Sequence, residues 1–190
     1  MAAAGPTFQQ QLVRPRGSHG GDDLCRLDNA AALVAYLGQT WSDRFCLSDY
    51  CDYRSADGYY RKYRFVFVDG EVYPYHLAIS PDWMVHYWRT EMATNSWMQR
   101  EEEAFLADYH SLFGSIGVEA LANCAGRLGL DYAGIDCALT PDGQVLLFEA
   151  NASMRVQLTD SDQHFGYKQR YLPRIFEAIG DMVLRRLSPA

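Results

Sequence analysis

The sequence lacks the features of several protein classes. It contains no apolar run near the roughly 18 residues of a membrane span, and its start has no charged segment followed by an apolar one. Lys and Arg number 17 against 24 Asp and Glu, and the net charge of -7 argues against a broad basic face for nucleic acid. The expected location is therefore the cytoplasm, with neither membrane nor nucleic acid as a partner.

The sequence also lacks the cysteine spacing of a zinc or disulfide framework, and its hydrophobic content is not low enough to exclude a folded core. The five cysteines form no CxxC pair, and their odd number fits neither a zinc framework nor a fully paired disulfide set. The length of 190 residues suffices for one domain or two joined subdomains, and 48% hydrophobic residues suffice for a core. A ligand-using enzyme of this length would often need a further domain.

The order of predicted elements indicates an α+β chain with mainly antiparallel hairpins. Extended and β-branched segments between turn signals predict strands at 8–13, 24–27, 45–53, 59–68, 71–80, 132–140 and 144–150. Helical spacing and stop signals predict helices at 30–37, from about 96 to 113, at 116–128 and at 167–187. Asp28 is the expected cap of the first helix, and Ser96 with Gln99 forms a capping box before the second.

The most informative segment is the predicted hairpin over 131–151. If Asp142 and Gly143 form a two-residue turn, Asp136 lies directly opposite Glu149, with Asn151 two positions along on the same face. Facing carboxylates are destabilising unless one is protonated or a cation lies between them, and such an oxygen set suits Mg²⁺. A solvated sheet face is the alternative. A turn one residue longer would put the two carboxylates on opposite faces.

Two further segments suit anions. The glycine loop, 17–21, could bring backbone N–H groups close to phosphate, although an ordinary flexible turn explains its composition equally well. It has neither a Walker ending nor a GxGxxG pattern, but Arg14 and Arg16 precede it. Strand alternation points Lys62 and Arg64 to one face, which is either an anion site or a solvated surface.

The aromatic stretch from Trp83 to Trp97 leaves two interpretations open. It could line a substrate site or pack in the core. His76 and His86 lie near aromatic residues, so we expect packed or hydrogen-bonded histidines instead of catalytic ones.

In chain order, these motifs resemble the ATP-grasp superfamily, whose members include D-alanyl-D-alanine ligases, glutathione synthetases and ribosomal-protein glutamate ligases. The resemblance rests on 13–21 (VRPRGSHGG), 60–66 (YRKYRFV) and the segments GID at 134–136 and FEAN at 148–151. It implies an ATP-grasp-like α+β fold of two small subdomains with mainly antiparallel sheets. A glycine-loop nucleotide-binding subdomain and hinge would cover 1–55, and a metal-binding subdomain with a carboxyl-terminal helix would cover 56–190.

The resemblance also implies roles for individual residues. Asp136, Glu149 and Asn151 would hold Mg²⁺, with Mn²⁺ as an alternative, against the phosphates of ATP. Arg64, with Lys62, would face the γ-phosphate or an acyl-phosphate. The implied nucleotide-binding positions are Arg14, the loop residues Gly17, Ser18, His19, Gly20 and Gly21, and the hinge residues Asp49, Tyr50, Cys51 and Asp52.

Members of the superfamily activate a carboxylate as an acyl-phosphate for attack by an amine or thiol. The first hypothesis is therefore an ADP-forming ligase module acting on a small-molecule or peptide carboxylate. The sequence departs from the family pattern: Arg14 replaces a usual lysine, Ala152-Ser153-Met154 replaces a common Pro-Gly, and no segment matches the amino-terminal domain. We expect a part of a larger protein, or one completed by a partner or a homo-oligomer.

Two alternatives to the ligase module stay open. One is a nucleotide-binding or degenerate module that senses or scaffolds without ligating anything. The other is a magnesium enzyme that does not use ATP.

Overall fold

The computed structural model describes residues 9–18, 20–158 and 162–187. They belong to two compact units, Met1–Asp52 and Tyr53–Ala190. Each unit contains one antiparallel sheet together with helix, so the predicted α+β class with mainly antiparallel sheets is confirmed. No helix in these described ranges is long and apolar enough to cross a membrane.

The first unit is a three-stranded sheet with one helix. Its elements are β1 (Gln11–Pro15), β2 (Cys25–Leu27), α1 (Ala30–Gln39) and β3 (Phe45–Asp49). Strand β1 is central and pairs antiparallel with both neighbours. Helix α1 is capped by Asn29, whose side chain accepts from the Ala32 N–H at 2.9 Å. The predicted cap at Asp28 is wrong by one residue, because Asn29 is the residue with extended backbone at the helix start.

The second unit contains a four-stranded sheet in the order β5-β4-β6-β7. Its strands are β4 (Tyr60–Val68), β5 (Glu71–Ser80), β6 (Tyr132–Leu139) and β7 (Val145–Asn151). Its helices are α2 (Ser96–Ala107), α3 (Tyr109–Leu128), α4 (Asp162–Phe165) and α5 (Pro173–Leu187), with 3₁₀ turns at Tyr87–Arg89 and Gly166–Arg170. The predicted strands of this unit are therefore present with shifted ends, while the helix predicted at 167–187 is divided into the 3₁₀ turn Gly166–Arg170 and α5.

The core of the second unit forms where α2 and α3 pack on the sheet. Phe65 is fully buried on β4 and contacts Phe105, Tyr109 and Phe113 edge to face at ring distances of 5.1 to 5.4 Å. Such pairs add about 0.5–1.5 kcal/mol each beyond the burial of their area. This cluster holds β4 rigidly, and β4 carries Lys62 and Arg64.

Local turn chemistry explains the β4–β5 hairpin. Asp69 and Gly70 both have positive φ angles, 53° and 87°, as a two-residue primed turn requires. The predicted turn at these two residues is confirmed.

The helices after β5 differ from the prediction at their starts. Asn95, not Ser96, precedes α2, and the Gln99 amide donates to the carbonyls of Met92 and Ala93 at 2.9 and 3.0 Å. The predicted capping box is wrong because Gln99 is taken by the preceding loop. Helix α2 ends before Asp108, and α3 begins directly after it. The helix predicted from about 96 to 113 is therefore divided between α2 and the start of α3.

Candidate functional site

The β6–β7 hairpin places Asp136 opposite Glu149, as predicted, but by a different route. The turn is one residue longer than expected, because the Thr140 N–H donates to the Gln144 carbonyl around a three-residue loop. A bulge in β7 between the partners of Asp136 and Cys137 then restores the register. The predicted two-residue turn is therefore wrong, while the predicted pairing of the two carboxylates is confirmed.

Asp136 is 3% exposed and is held by two cations from the neighbouring strand. The Arg64 guanidinium donates from Nε to Oδ1 at 2.6 Å and from Nη2 to Oδ2 at 2.9 Å. Lys62 Nζ lies 3.3 Å from Oδ2. Alternation along β4 points Lys62 and Arg64 to the same face, as predicted, and that face meets Asp136.

The electrostatics of this cluster favour an ionised carboxylate. Burial alone would raise the pKa of the Asp136 carboxyl, but hydrogen bonds from Arg64 and the charges of Lys62 and Arg64 lower it. For Arg64, burial opposes the charge, while its bonds to Asp136 raise the pKa of the guanidinium, helped by the nearby charge of Glu149. The cation that compensates the facing carboxylates in this structure is thus supplied by the chain itself.

The other two predicted metal ligands lie on the edge strand of the sheet. Glu149 and Asn151 are exposed on β7, two positions apart and therefore on one face. The Asn151 side-chain oxygen accepts from the Ser153 N–H at 2.8 Å and from its hydroxyl at 3.1 Å. Among the described residues, no three His, Cys, Asp or Glu side chains are grouped so that they could hold a metal ion.

The predicted nucleotide-binding residues lie in the first unit. Arg14 is exposed on β1. Gly17, Gly20 and Gly21 have φ angles of 89°, 63° and 84°, values that L side chains rarely adopt, which explains the glycines of this strand-to-strand loop. The Ser18 hydroxyl donates to the Pro15 carbonyl at 2.9 Å, and His19 lies outside the described residues.

The predicted hinge follows β3 directly. Asp49 ends this strand and is exposed, as are Cys51 and Asp52. The Tyr50 N–H donates to the Gln10 carbonyl at 2.9 Å, and the Tyr50 ring lies 5.0 Å from the Arg26 guanidinium carbon. Backbone contacts within the first unit therefore fix the start of this segment.

The sequence did not predict a buried ion pair between Glu102 and Lys168. Glu102 on α2 is fully buried, and its Oε1 lies 3.1 Å from Nζ of Lys168, which is 2% exposed. The hydroxyls of Tyr87 and Tyr167 also donate to Glu102, and Lys168 donates to Tyr87. Desolvation raises the pKa of Glu102. In the sequence, Glu102 looks like one of three solvated glutamates, and nothing nearby signals a partner on a distant segment.

Comparison with solved structures finds ligases that span more than this chain. The D-alanine-D-alanine ligase from Coxiella burnetii is 11% identical with a TM-score of 0.49, over 94% of this chain and 45% of that one. D-cycloserine synthetase DcsG is 19% identical with a TM-score of 0.46, over 88% and 56%. A RiPP-associated ATP-grasp ligase from Chryseobacterium gregarium, solved with ADP and a leader and core peptide, is 13% identical with a TM-score of 0.47, over 95% and 49%.

This chain thus spans about half the length of the solved structures it matches. No protein-family model and no curated protein matches the sequence. At these identities and TM-scores, the similarity to the solved structures does not by itself assign the chain to a family.

Proposed function

We propose that the chain is a nucleotide-binding module of ATP-grasp type that serves an ATP-dependent, ADP-forming ligation. In this reaction a carboxylate is activated as an acyl-phosphate, which an amine or thiol then attacks. The observation that carries the proposal is the cross-strand cluster of Asp136, Glu149, Arg64 and Lys62, with Asn151 on the same face of the hairpin. The glycine loop and Arg14 of the first unit support it as phosphate-binding elements.

The donor set fits Mg²⁺ in its chemistry. Two carboxylates and an amide oxygen are hard ligands of the kind that Mg²⁺ prefers, and Glu149 and Asn151 are exposed to an incoming ion. Both Asp136 oxygens are hydrogen-bonded to Arg64, so this carboxylate would exchange one of those bonds for the metal. Asp136, Glu149 and Asn151 would hold the ion, which would supply charge neutralisation at the phosphate oxygens of ATP.

The chain's own cations have a separate role in the proposal. Arg64 and Lys62 stand on a rigid, buried strand, so their charges are positioned before an anion arrives. Preorganised charges of this kind stabilise a phosphoryl group in transfer without reorganisation at the moment of reaction. Arg64 and Lys62 are accordingly the proposed catalytic residues.

Nucleotide binding by calorimetry tests the proposal. The native chain should bind ATP more tightly with Mg²⁺ than with EDTA, and Glu149→Gln should remove most of that difference. Glu119→Gln is the matched control, because Glu119 is an exposed carboxylate on α3. Native binding that is absent, or a Glu149→Gln variant that keeps the full Mg²⁺ effect, would refute the assignment. ADP release in the presence of trial carboxylates then tests the ligase step.

A non-catalytic nucleotide-binding module is the second candidate. The observation that favours it is that Arg64 occupies Asp136 and Ser153 occupies Asn151. Within the described part of the chain, Glu149 is then the one proposed ligand whose side chain makes no hydrogen bond. ATP binding of equal strength with Mg²⁺ and with EDTA, without ADP release, would favour this candidate.

A further inference from the structure

A small cavity adjoins Arg64 in the second unit. It measures about 80 Å³, and its lining comes from β4, β5, the 3₁₀ turn after β5 and the segment after β7. The residues that matter here are Arg64, His76, Tyr87, Trp88, Arg155 and Gln157. Arg155 belongs to none of the sequence motifs, and Trp88 lies in the aromatic stretch for which a substrate site and core packing were both left open.

The lining of the cavity contains two cations, of which Arg64 is paired with Asp136. Two guanidinium groups line it, and none of its described lining residues is acidic. Arg64 uses Nε and Nη2 for Asp136, which leaves the Nη1 donors of its guanidinium for a ligand. With its amide oxygen turned to Arg155, Gln157 accepts from Nε at 3.1 Å, so a neutral group holds the second guanidinium in place. Gln157 is itself fixed, because its N–H donates to the Tyr75 hydroxyl oxygen at 3.0 Å.

His76 adds a buried polar atom without a partner. It is 6% exposed and stacks on Tyr87 at 4.4 Å, and its Nε2 has no hydrogen bond within the described part of the chain. Burial first, and then the positive charges of Arg64, Lys168 and Lys62, hold the pKa of His76 well below its ordinary value. A buried imidazole nitrogen without a hydrogen-bond partner destabilises the fold, and a polar ligand atom would relieve that cost.

The apolar part of the lining is an aromatic corner. Tyr87 is buried, and Glu102 and Lys168 fix its hydroxyl. The ring of Trp88 stands at 89° to that of Tyr87 at a distance of 5.3 Å, yet Trp88 remains 66% exposed. A large exposed aromatic beside a charged cavity offers a flat ligand both a face and an edge.

We propose that this cavity binds a small aromatic carboxylate, with its carboxylate group on Arg64 and Arg155 and its ring against Trp88. Guanidinium forks match a carboxylate in geometry and charge, and a planar ring uses the corner of Tyr87 and Trp88. The inference builds on the proposed function, since such an acid would be the carboxylate that ATP activates. It requires no contact between the two units.

Benzoate binding in the absence of nucleotide tests the inference. Saturable binding followed by ligand-observed NMR should appear for benzoate, while benzamide, which lacks the charge, and cyclohexanecarboxylate, which lacks the flat ring, should each bind at least tenfold more weakly. Arg155→Gln and Trp88→Leu should each weaken benzoate binding about tenfold. Arg100→Gln and Trp41→Leu are the controls, because Arg100 and Trp41 are exposed and lie outside the lining.

The results separate this inference from the proposed function. Absent benzoate binding, equal binding of benzamide, or unchanged affinity in both Arg155→Gln and Trp88→Leu would overturn it, even if Mg²⁺ and ATP bind normally. Conversely, benzoate binding that follows the expected pattern would stand even if the chain failed to bind ATP. Circular dichroism of each variant checks that the fold is kept, and His76→Asn gives a third variant that should alter benzoate affinity by removing the ring stacked on Tyr87.

Discussion

Replacing Glu102 with Gln would leave a lysine ammonium buried without its counter-charge. Glu102 is 0% exposed and Lys168 is 2% exposed, with 3.1 Å between Oε1 and Nζ. Gln keeps the shape of the side chain and one acceptor for the Leu77 N–H, which donates to Glu102 at 3.1 Å. The substitution therefore removes the charge with little change in packing.

The ordinary pKa values of the two residue types set the size of the effect. Neutralising a lysine at pH 7 costs about 4.6 kcal/mol, from an ordinary pKa of about 10.4 and 1.36 kcal/mol per unit. The reciprocal variant, Lys168→Met, strands the carboxylate, and protonating a glutamate at pH 7 costs about 3.7 kcal/mol from an ordinary pKa of about 4.3. These values are ceilings, consistent with losses of about 3–5 kcal/mol when a buried ion pair is broken.

The two variants should respond to pH with opposite signs. In Glu102→Gln the unfolded chain binds one proton more than the folded chain, so its free energy of unfolding should rise with pH relative to the native protein. In Lys168→Met the folded chain binds the extra proton at Glu102, so the free energy of unfolding should fall with pH. Each slope approaches about 1.4 kcal/mol per pH unit.

Urea unfolding at pH 6, 7 and 8, followed by circular dichroism, measures these slopes. The exposed carboxylate Glu119 supplies the control, and Glu119→Gln should stay within about 0.5 kcal/mol of the native protein at each pH. Variants of Glu102 and Lys168 whose stabilities stay parallel to the native protein across this range would refute a charged, buried pair.

Three further predictions concern single residues. Asp136→Asn should lower the free energy of unfolding by about 2 kcal/mol at pH 7. Because the pKa of Asp136 is lowered, its contribution to the free energy of unfolding is present above the ordinary carboxyl range and is lost as the pH falls below about 4. A stability difference between the native protein and Asp136→Asn that stays constant through acid unfolding would contradict this. Gly134→Ala should lower the free energy of unfolding by about 1–3 kcal/mol, since a Cβ there would lie 2.9 Å from a backbone oxygen. Gly126→Ala, in open space on α3, should raise it by up to about 1 kcal/mol in the same urea assay. Asn29→Ala should lower the free energy of unfolding by about 1 kcal/mol and should speed amide exchange in α1 more than Asp28→Ala does. Equal effects of the two variants would contradict the assignment of Asn29 as the cap.

Elements set by neighbouring residues could be predicted from the sequence. The aromatic and β-branched residues of the two strands, with the primed turn at Asp69 and Gly70, were enough to predict the β4–β5 hairpin. The left-handed glycine at residue 129 likewise ends α3 where a helix stop was expected. Caps were less predictable, because several polar residues compete at each helix start and the loop decides between them.

The route by which Asp136 comes to lie opposite Glu149 could not be predicted from neighbouring residues. The register of Asp136 and Glu149 depends on a longer turn and a bulge that compensate each other. Strand β7 contains no glycine that would signal this bulge, and packing of the sheet determines where the extra residue is accommodated. The predicted pairing of Asp136 with Glu149 is therefore correct although the predicted two-residue turn is not.

The burial of Glu102 could not be predicted from neighbouring residues either. Three adjacent glutamates at a helix start look solvated, and only the packing of α2 against the sheet and Lys168 makes the middle one internal. Charge compensation by a residue distant in sequence leaves no local pattern.

The sequence by itself determined the α+β class, most of the strands, and which polar residues share a face, since these follow from side-chain period and turn chemistry. Only the tertiary structure decided which cation neutralises Asp136, and it placed Arg64 and Lys62 there. It also joined His76, Trp88 and Arg155 around one cavity. The physical reason is that burial and Coulomb interactions depend on distances in space, which separate segments of the chain set only after they have packed together.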